Sequence, residues 1–160
     1  MISPLIRRAT PTDLAHIRQL EVQAPTAAHW SSSQYEVLFV AEVPQRIALV
    51  ATRESGVELV VAFLVARCLN DEWEIENIVV DEDQRQAGVG SALVRHLAAE
   101  AAASGAVSLL LEVRESNTPA RRLYEKIGFT VEGRRKIYYR SPDEDAILYR
   151  LPLQSCDKIP

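Results

Sequence analysis

Cysteine is scarce in this chain. Its 160 residues hold two, Cys68 and Cys156, far apart and outside any C-x-x-C spacing. Neither a disulfide framework nor a structural zinc site is expected, and a reducing compartment fits. Histidine is as thin. His16, His29 and His96 lack a carboxylate or cysteine at metal-ligating spacing, so no metal is expected and the three belong on the surface or on helices. No run approaches the roughly 20 apolar residues of a membrane helix. The start, Met1-Ile2-Ser3-Pro4-Leu5-Ile6-Arg7-Arg8, has no apolar stretch behind a basic region, so no signal peptide is expected; the expected location is the cytoplasm. There is no excess of positive charge either. A formal net charge of −4 argues against a nucleic-acid-binding surface and is mildly compatible with a basic partner. Repeats, low-complexity tracts and linkers are missing, so residues 1–160 are expected to form a single domain. What remains, 48% hydrophobic and 25% charged, is the composition of an ordinary globular protein.

Periodicity orders the elements. Leu5 to Arg8 suggests a short strand. Thr10-Pro11-Thr12-Asp13 opens a helix, with Thr10 as cap, Pro11 where its missing N–H does no harm, and Asp13 favoured by the dipole. Leu14, Ile17 and Leu20 or Glu21 follow at helical spacing, and Pro25 closes the element. Ser31-Ser32-Ser33 starts a short second helix with Tyr35, Leu38 and Phe39 as its apolar side, ended by Pro44. Arg46 to Arg53 and Val57 to Arg67 form a hairpin about the turn Glu54-Ser55-Gly56. Cys68 to Asp71 turns the chain into a third strand, Trp73 to Val80. Gly88 to Ser104 is the best helix, with Ala92, Leu93, Leu97 and Ala101 on one face and Gly105 just past its end. Val107 to Val113 is nearly all apolar, as in a sheet interior. Thr118-Pro119 starts a last helix, with Ala120, Leu123, Tyr124 and Ile127 on one side and Gly128 at its end. Strands Thr130 to Tyr139 and Ala146 to Leu151 flank the turn Ser141-Pro142-Asp143. The order β-α-α-β-β-β-α-β-α-β-β is that of a mixed sheet of the α/β or α+β class.

Between Val80 and Ala92 a strand ends, a short loop carries Arg85, Gly88 and Gly90, and a helix begins. Free backbone N–H groups at a helix N-terminus carry partial positive charge, and glycines allow an anion to come close. Arg85 can add charge-assisted hydrogen bonds. No Lys-Ser/Thr follows, so this is not a Walker A loop. Leu93 stands where a third glycine would complete a dinucleotide fingerprint. Arg-x-x-Gly-x-Gly is instead a pattern used for coenzyme A. By itself the segment would also fit a glycine-containing connection that binds nothing.

Val79-Val80-Asp81 followed by Gln84-Arg85-Gln86-Ala87-Gly88-Val89-Gly90 resembles the acetyl-CoA motif of the GCN5-related N-acetyltransferase (GNAT) superfamily. Downstream, Leu111-Glu112-Val113-Arg114-Glu115-Ser116-Asn117, then Leu123-Tyr124-Glu125-Lys126-Ile127-Gly128-Phe129, is similar to the ribosomal-protein-alanine N-acetyltransferases of the RimI type. So is the ending Arg134-Arg135-Lys136-Ile137-Tyr138-Tyr139, Glu144-Asp145-Ala146-Ile147 and Leu151-Pro152. The likeness runs from about Trp73 to Leu153. Earlier, His29-Trp30-Ser31 matches a Pro-Trp-Ser segment with histidine in place of proline.

The resemblance implies a GNAT fold: a mixed, mostly antiparallel sheet of about seven strands, helices on both faces, and a splayed strand pair that holds acyl-CoA. It implies acetyl-CoA as co-substrate and direct attack by an amine in a ternary complex. Ile78, Val79 and Val80 would present backbone groups to the pantetheine and thioester, and could serve as oxyanion donors. Arg85, Gln86, Ala87, Gly88, Val89, Gly90 and Ser91 would wrap the pyrophosphate, and Asn117 would contact the cofactor. Glu112 would accept the amine's proton, its carboxylate interrupting the apolar run Leu109-Leu110-Leu111 in a strand whose burial favours a raised pKa. Tyr124 would donate a proton or a hydrogen bond to the departing thiolate. From the residues alone, Glu112 could equally be an edge carboxylate or pair with Arg114, Tyr124 a core aromatic, and Asn117 a helix cap. Tyr138, Tyr139 and Trp30 are candidates for the acceptor cleft or for ordinary packing.

Three functions compete at this point. One is acetylation of a protein N-terminus, with the alanine of ribosomal protein S18 as acceptor and partner. Another is acetylation of a small-molecule amine. The third is a non-catalytic acyl-CoA sensor, which would have no use for both Glu112 and Tyr124. The ending with Tyr138 and Tyr139 favours the first over the second, although fold alone does not choose an acceptor.

Overall fold

A computed structural model describes residues 4–40, 44–54 and 56–154; Ser55 of the expected hairpin turn and Cys156 lie outside the described residues. The elements are β1 (Leu5–Arg8), α1 (Leu14–Gln23), α2 (Ser32–Glu36), β2 (Arg46–Glu54), β3 (Glu58–Leu69), β4 (Glu72–Val80), α3 (Val89–Ala103), β5 (Ser108–Arg114), α4 (Thr118–Ile127), β6 (Thr130–Tyr139) and β7 (Glu144–Pro152). Their order is the expected one. Short 3-10 turns at Pro11–Asp13, Val37–Phe39 and Glu82–Gln84 complete it.

One seven-stranded sheet has the order β1-β2-β3-β4-β5-β7-β6. Neighbours run antiparallel except β4 and β5, which are parallel and joined through α3, because a parallel pair needs a long crossover. Several strands outrun their sequence-based bounds. β3 continues to Leu69 and β7 starts at Glu144, since ladder bonds involve backbone and accept polar residues where an apolar pattern has stopped.

Apolar residues cover both faces of the sheet. On one face Leu49, Leu64, Trp73, Ile75, Leu109 and Tyr149 pack with Leu93, Leu97 and Ala101 of α3 and Tyr124 of α4. On the other, Val50, Phe63, Val65 and Val79 pack with Ile17 and Leu20 of α1, and with Tyr35 and Leu38. Helices therefore lie on both sides, as a sheet with two apolar faces requires. The inward stripe of α3 uses Val89, Leu93, Val94, Leu97 and Ala101, with Ala92 only half-buried. Val94 sits where the sequence reading had placed Ala92. Each such leucine contributes about 2 kcal/mol through burial.

The entry to α1 also departs in detail. Asp13 is buried, and its carboxylate accepts hydrogen bonds from the Arg7 guanidinium (2.8 and 3.0 Å) and from the Thr10 backbone N–H (2.8 Å). It ties β1 to the helix start rather than merely facing the dipole. The guanidinium of Arg7 is the main cause holding this carboxyl below its ordinary range.

Candidate active site

The central feature is where β4 and β5 part. They pair only over Glu72–Ile75 against Ser108–Leu111. β4 then runs on to Val80 while still paired to β3, through Ala62 opposite Val80. β5 runs on to Arg114 while still paired to β7, through Ala146. The facing edges of 76–80 and 112–114 thus share no ladder. Two strand edges with free backbone donors and acceptors diverge inside the sheet, which is the expected splay. Each can take an extended ligand by adding main-chain bonds.

A bulge sits at the parting point. Val65 lies opposite Asn77, and Ala66 opposite Ile75, which leaves Glu76 as the extra residue. An extra residue shifts the alternation of side chains. Trp73 and Ile75 belong to the α3 face, whereas Val79, also odd-numbered, belongs to the α1 face, and Ile78 and Val80 pack on the α3 side. Glu76 is held by Arg46 (2.9 Å) and faces Arg67 (3.5 Å).

At the end of β4 the chain makes the 3-10 turn Glu82–Gln84 and enters α3 through Arg85–Gly88. Gln86 and Gly88 both have positive φ, 61° and 80°, and Gly88 caps α3. Residues 85–88 are exposed while Val89 and Gly90 are buried. A Cβ on Gly90 would stand 3.0 Å from Leu123 and 3.5 Å from Val80, so the small residue lets α3 seat tightly between β4 and α4. The Arg85 side chain is exposed and its Nε points to the Val80 carbonyl at 3.4 Å. A cavity of about 310 Å³ adjoins this loop, lined by Leu20, Gln23, Ala24, Val80, Asp81, Glu82 and Arg85.

Glu112 projects from the end of β5 that has parted from β4. Its side chain is 17% exposed and its Oε1 lies 2.9 Å from Nε of Arg135. The partner is therefore Arg135 on β6 and not Arg114. Arg114 instead stacks on Tyr139, 4.3 Å from the ring centroid, and lies 3.9 Å from Glu144. Sequence adjacency favoured Arg114, but the neighbour across the sheet wins.

Tyr138 and Tyr139 reach this group through an irregularity that periodicity did not predict. Arg135 lies opposite Ala146 and Tyr139 opposite Glu144, so Lys136, Ile137 and Tyr138 face the single residue Asp145. Ile137 adopts φ 49°, strained for a β-branched residue. The Asp145 carboxylate holds it there by accepting its backbone N–H at 2.8 Å and by pairing with Arg134 at 2.9 Å. Those bonds keep the Asp145 carboxyl below its ordinary range. The bulge brings the two tyrosine rings edge to face at 5.2 Å, with Arg135 5.4 Å from the Tyr138 ring centroid. The Glu112 charge is the first cause raising the Tyr138 hydroxyl, and it adds to burial in pushing Tyr139 up to about 12. Both phenols stay neutral beside the carboxylate.

Tyr124 is 5% exposed and packs against Phe129 and Tyr149 at centroid distances of 5.6 and 6.2 Å. Burial, with a smaller contribution from Tyr139, pushes its hydroxyl well up. The side chain is thus a core aromatic whose hydroxyl also feels Tyr139. Asn117 caps α4, its Oδ1 accepting the Ala120 N–H at 3.3 Å. Trp30 is half-buried, 5.4 Å from Tyr35 and on the α1 face. His16 and His29 are exposed. His96 does have a carboxylate one helical turn on: its Nε2 lies 3.1 Å from Glu100. Among the described residues no group of three or more His, Cys, Asp or Glu side chains gathers as metal ligands, and no helix is long and apolar enough to cross a membrane.

Arg135 and Asp145 were not singled out from sequence. Their contacts join different strands, and the sequence carried both only as part of the family-like ending, with no role attached.

Comparison with known proteins gives the same picture. The profile of the acetyltransferase (GNAT) family matches residues 14–129. The [ribosomal protein bS18]-alanine N-acetyltransferase of Escherichia coli (strain K12) is 36% identical over 144 residues, which cover 89% of this chain and 93% of that protein. The enzyme of the same name from Salmonella typhimurium is 35% identical over the same shares. The crystal structure of the Escherichia coli ribosomal-protein-S18-alanine N-acetyltransferase superposes with a TM-score of 0.81 over 98% of both chains, at 30% identity. Arabidopsis thaliana NAA60 in complex with acetyl-CoA shares the fold, with a TM-score of 0.81 at 19% identity over 94% of this chain and 98% of that one.

Proposed function

This chain belongs to the acetyltransferase (GNAT) family, and from that premise we propose that it moves acetyl from acetyl-CoA to the N-terminal alanine of ribosomal protein S18 in the cytoplasm. One observation carries the acceptor: the Escherichia coli enzyme that acts on that alanine matches this chain over 93% of its own length. Acyl transfer itself is supported by the divergence of β4 and β5, with Glu112 on one edge and Ile78–Val80 on the other.

The pantetheine arm lies along Ile78, Val79 and Val80, and those of their N–H groups that point away from β3 face the thioester oxygen as it becomes an oxyanion. The pyrophosphate rests on Arg85, Gln86, Ala87, Gly88, Val89, Gly90 and Ser91 at the start of α3. An α-amine has a pKa of about 8, so near neutral pH its charged form dominates. Glu112 accepts its proton, and the neutral nitrogen attacks the carbonyl carbon. The C–S bond breaks as the tetrahedral carbon collapses, and Tyr124 meets the leaving thiolate. Asn117 borders the cofactor with the amide nitrogen that its cap leaves free. Trp30, Tyr138 and Tyr139 line the entry of the acceptor.

Two measurements test this. Gly88 has a left-handed backbone with open space around a Cβ, so Gly88→Ala introduces roughly 1–2 kcal/mol of strain without a clash. Acetyl-CoA affinity, by calorimetry, should fall about tenfold. Unchanged affinity would remove this turn from the cofactor site. The acceptor is tested by offering acetyl-CoA with Ala-starting peptides, polyamines and aminoglycosides, scoring acetylation by mass. The expected product is the peptide. Acetylation of small amines alone would overturn the S18 assignment, and acetyl-CoA binding with no product would favour a sensor.

A further inference from the structure

A second polar cluster lies on the opposite face of β4 from α3, buried among apolar side chains. Glu21 of α1 and Asn77 of β4 are 4% and 5% exposed. Glu21 Oε1 accepts the Asn77 Nδ2–H at 2.8 Å and the Trp30 backbone N–H at 3.0 Å. Asn77 Oδ1 accepts the Ala28 N–H at 3.4 Å. The Tyr35 hydroxyl is sealed beside them without a hydrogen bond of good geometry, and burial together with the Glu21 charge pushes it well up.

A buried carboxylate that accepts from neutral donors is expensive unless its position serves something. Fold stability alone would be met by an apolar pair here, since this face of the sheet is otherwise an apolar core that includes Ile17, Leu20, Phe63 and Val79. The cluster instead joins three segments. Asn77 is the residue directly after the Glu76 bulge, where β4 leaves β5. Glu21 is near the end of α1. The N–H groups they hold belong to the irregular stretch from Ala24 to Ser31, which contains His29 at φ 52°. That stretch has few ladder or helix bonds of its own, so these contacts determine where it sits relative to β4.

We propose that Glu21 and Asn77 are positioning residues for the acceptor: they pin the Ala28–Trp30 stretch to the splayed end of β4, so that it forms one wall against which the incoming amine-bearing chain is aligned with the thioester. This rests on the acyl-transfer reading above. It assigns the pair no contact with the reacting atoms, and it predicts an effect on acceptor use and not on cofactor binding.

The test follows from both donors meeting one oxygen, Glu21 Oε1. Glu21→Gln keeps an oxygen there that accepts from Asn77 and Trp30, and serves as the conservative control. Glu21→Leu removes that acceptor, and Asn77→Leu removes the links to both Glu21 and Ala28. Each leucine variant should raise KM for an Ala-starting peptide about tenfold, as expected for a lost buried hydrogen bond. Their Kd for acetyl-CoA should stay within about twofold of wild type. Glu21→Gln should keep its peptide KM within about twofold of wild type. Hydrogen exchange at the Trp30 amide, read in the free protein, should speed up in the leucine variants and stay near the wild-type rate in Glu21→Gln.

A Glu21→Gln variant as impaired as Glu21→Leu, an unchanged peptide KM in folded leucine variants, or an equal loss of acetyl-CoA affinity would overturn the assignment. Wild-type turnover of the peptide reports on the acceptor class by itself. If only small amines are acetylated, the same variants are read with that amine, and the exchange rate at Trp30 decides whether the stretch is pinned.

Discussion

Replacing Glu112 by glutamine should lower kcat about 10²- to 10³-fold at pH 7, the range for losing a positioned proton acceptor, with acetyl-CoA affinity unchanged. The deficit should be largest below pH 7, where nearly all α-amine is charged, and should narrow above pH 8 as neutral amine appears without help. The geometry supplies its own control. Glu112 is paired with Arg135 at 2.9 Å, so the substitution also frees a guanidinium. Arg135→Met breaks the same pair and keeps the carboxylate. A comparable fall of kcat in Arg135→Met would assign the loss to the broken ion pair, and an undiminished rate in Glu112→Gln at pH 6 would remove Glu112 from proton transfer altogether.

Tyr124→Phe should lower kcat about 10²-fold, the loss typical of removing one donor from a developing anion. The mode of help follows from pKa values. A tyrosine ordinarily titrates near 10 and a thiol near 8.5, so full proton transfer to the thiolate is uphill by about 2 kcal/mol before burial is considered. Burial raises the Tyr124 hydroxyl further, and the uphill step grows. Tyr124 is therefore expected to act as a neutral hydrogen-bond donor that lets the thiolate leave and take its proton later. An acyl donor with a more acidic thiol depends less on that bond, so the penalty of Tyr124→Phe should shrink with such a donor. A penalty independent of the thiol, or a fall in melting temperature that accounts for the lost rate, would make Tyr124 a packing residue alone. Its contacts with Phe129 and Tyr149 survive in phenylalanine, which keeps the two explanations separable.

Much of the fold was legible because its strong elements are periodic. The stripe of α3, the apolar run of β5 and the glycine-bearing turn each have a local signature, and motif order along the chain pointed to the family. The misplacements have one physical origin. Periodicity reports side chains, whereas bulges, strand ends and ion pairs are decided by backbone partners far away in sequence. Glu112 faces Arg135 because β6 folds back beside β7, which itself lies beside β5. Nothing in the sequence next to Glu112 announces this. Ile137 reads as a good strand residue and is held at positive φ by Asp145. Glu21 shares the inward spacing of α1 with Leu20, but what a carboxylate does there is shown only by Asn77 and the Trp30 N–H beside it.

The extra residue at Glu76 has a consequence for how β4 tolerates change. It divides the strand into two stretches with separate allegiances. Before it, Trp73 and Ile75 are committed to the core under α3, and a substitution there is felt as lost stability. After it, Asn77 and Val79 turn to the α1 face, while Ile78 and Val80 take the α3 face. An odd-numbered position of β4 is therefore felt under α3 before the bulge and under α1 after it, so a pattern of tolerated substitutions along the strand should change phase at Glu76.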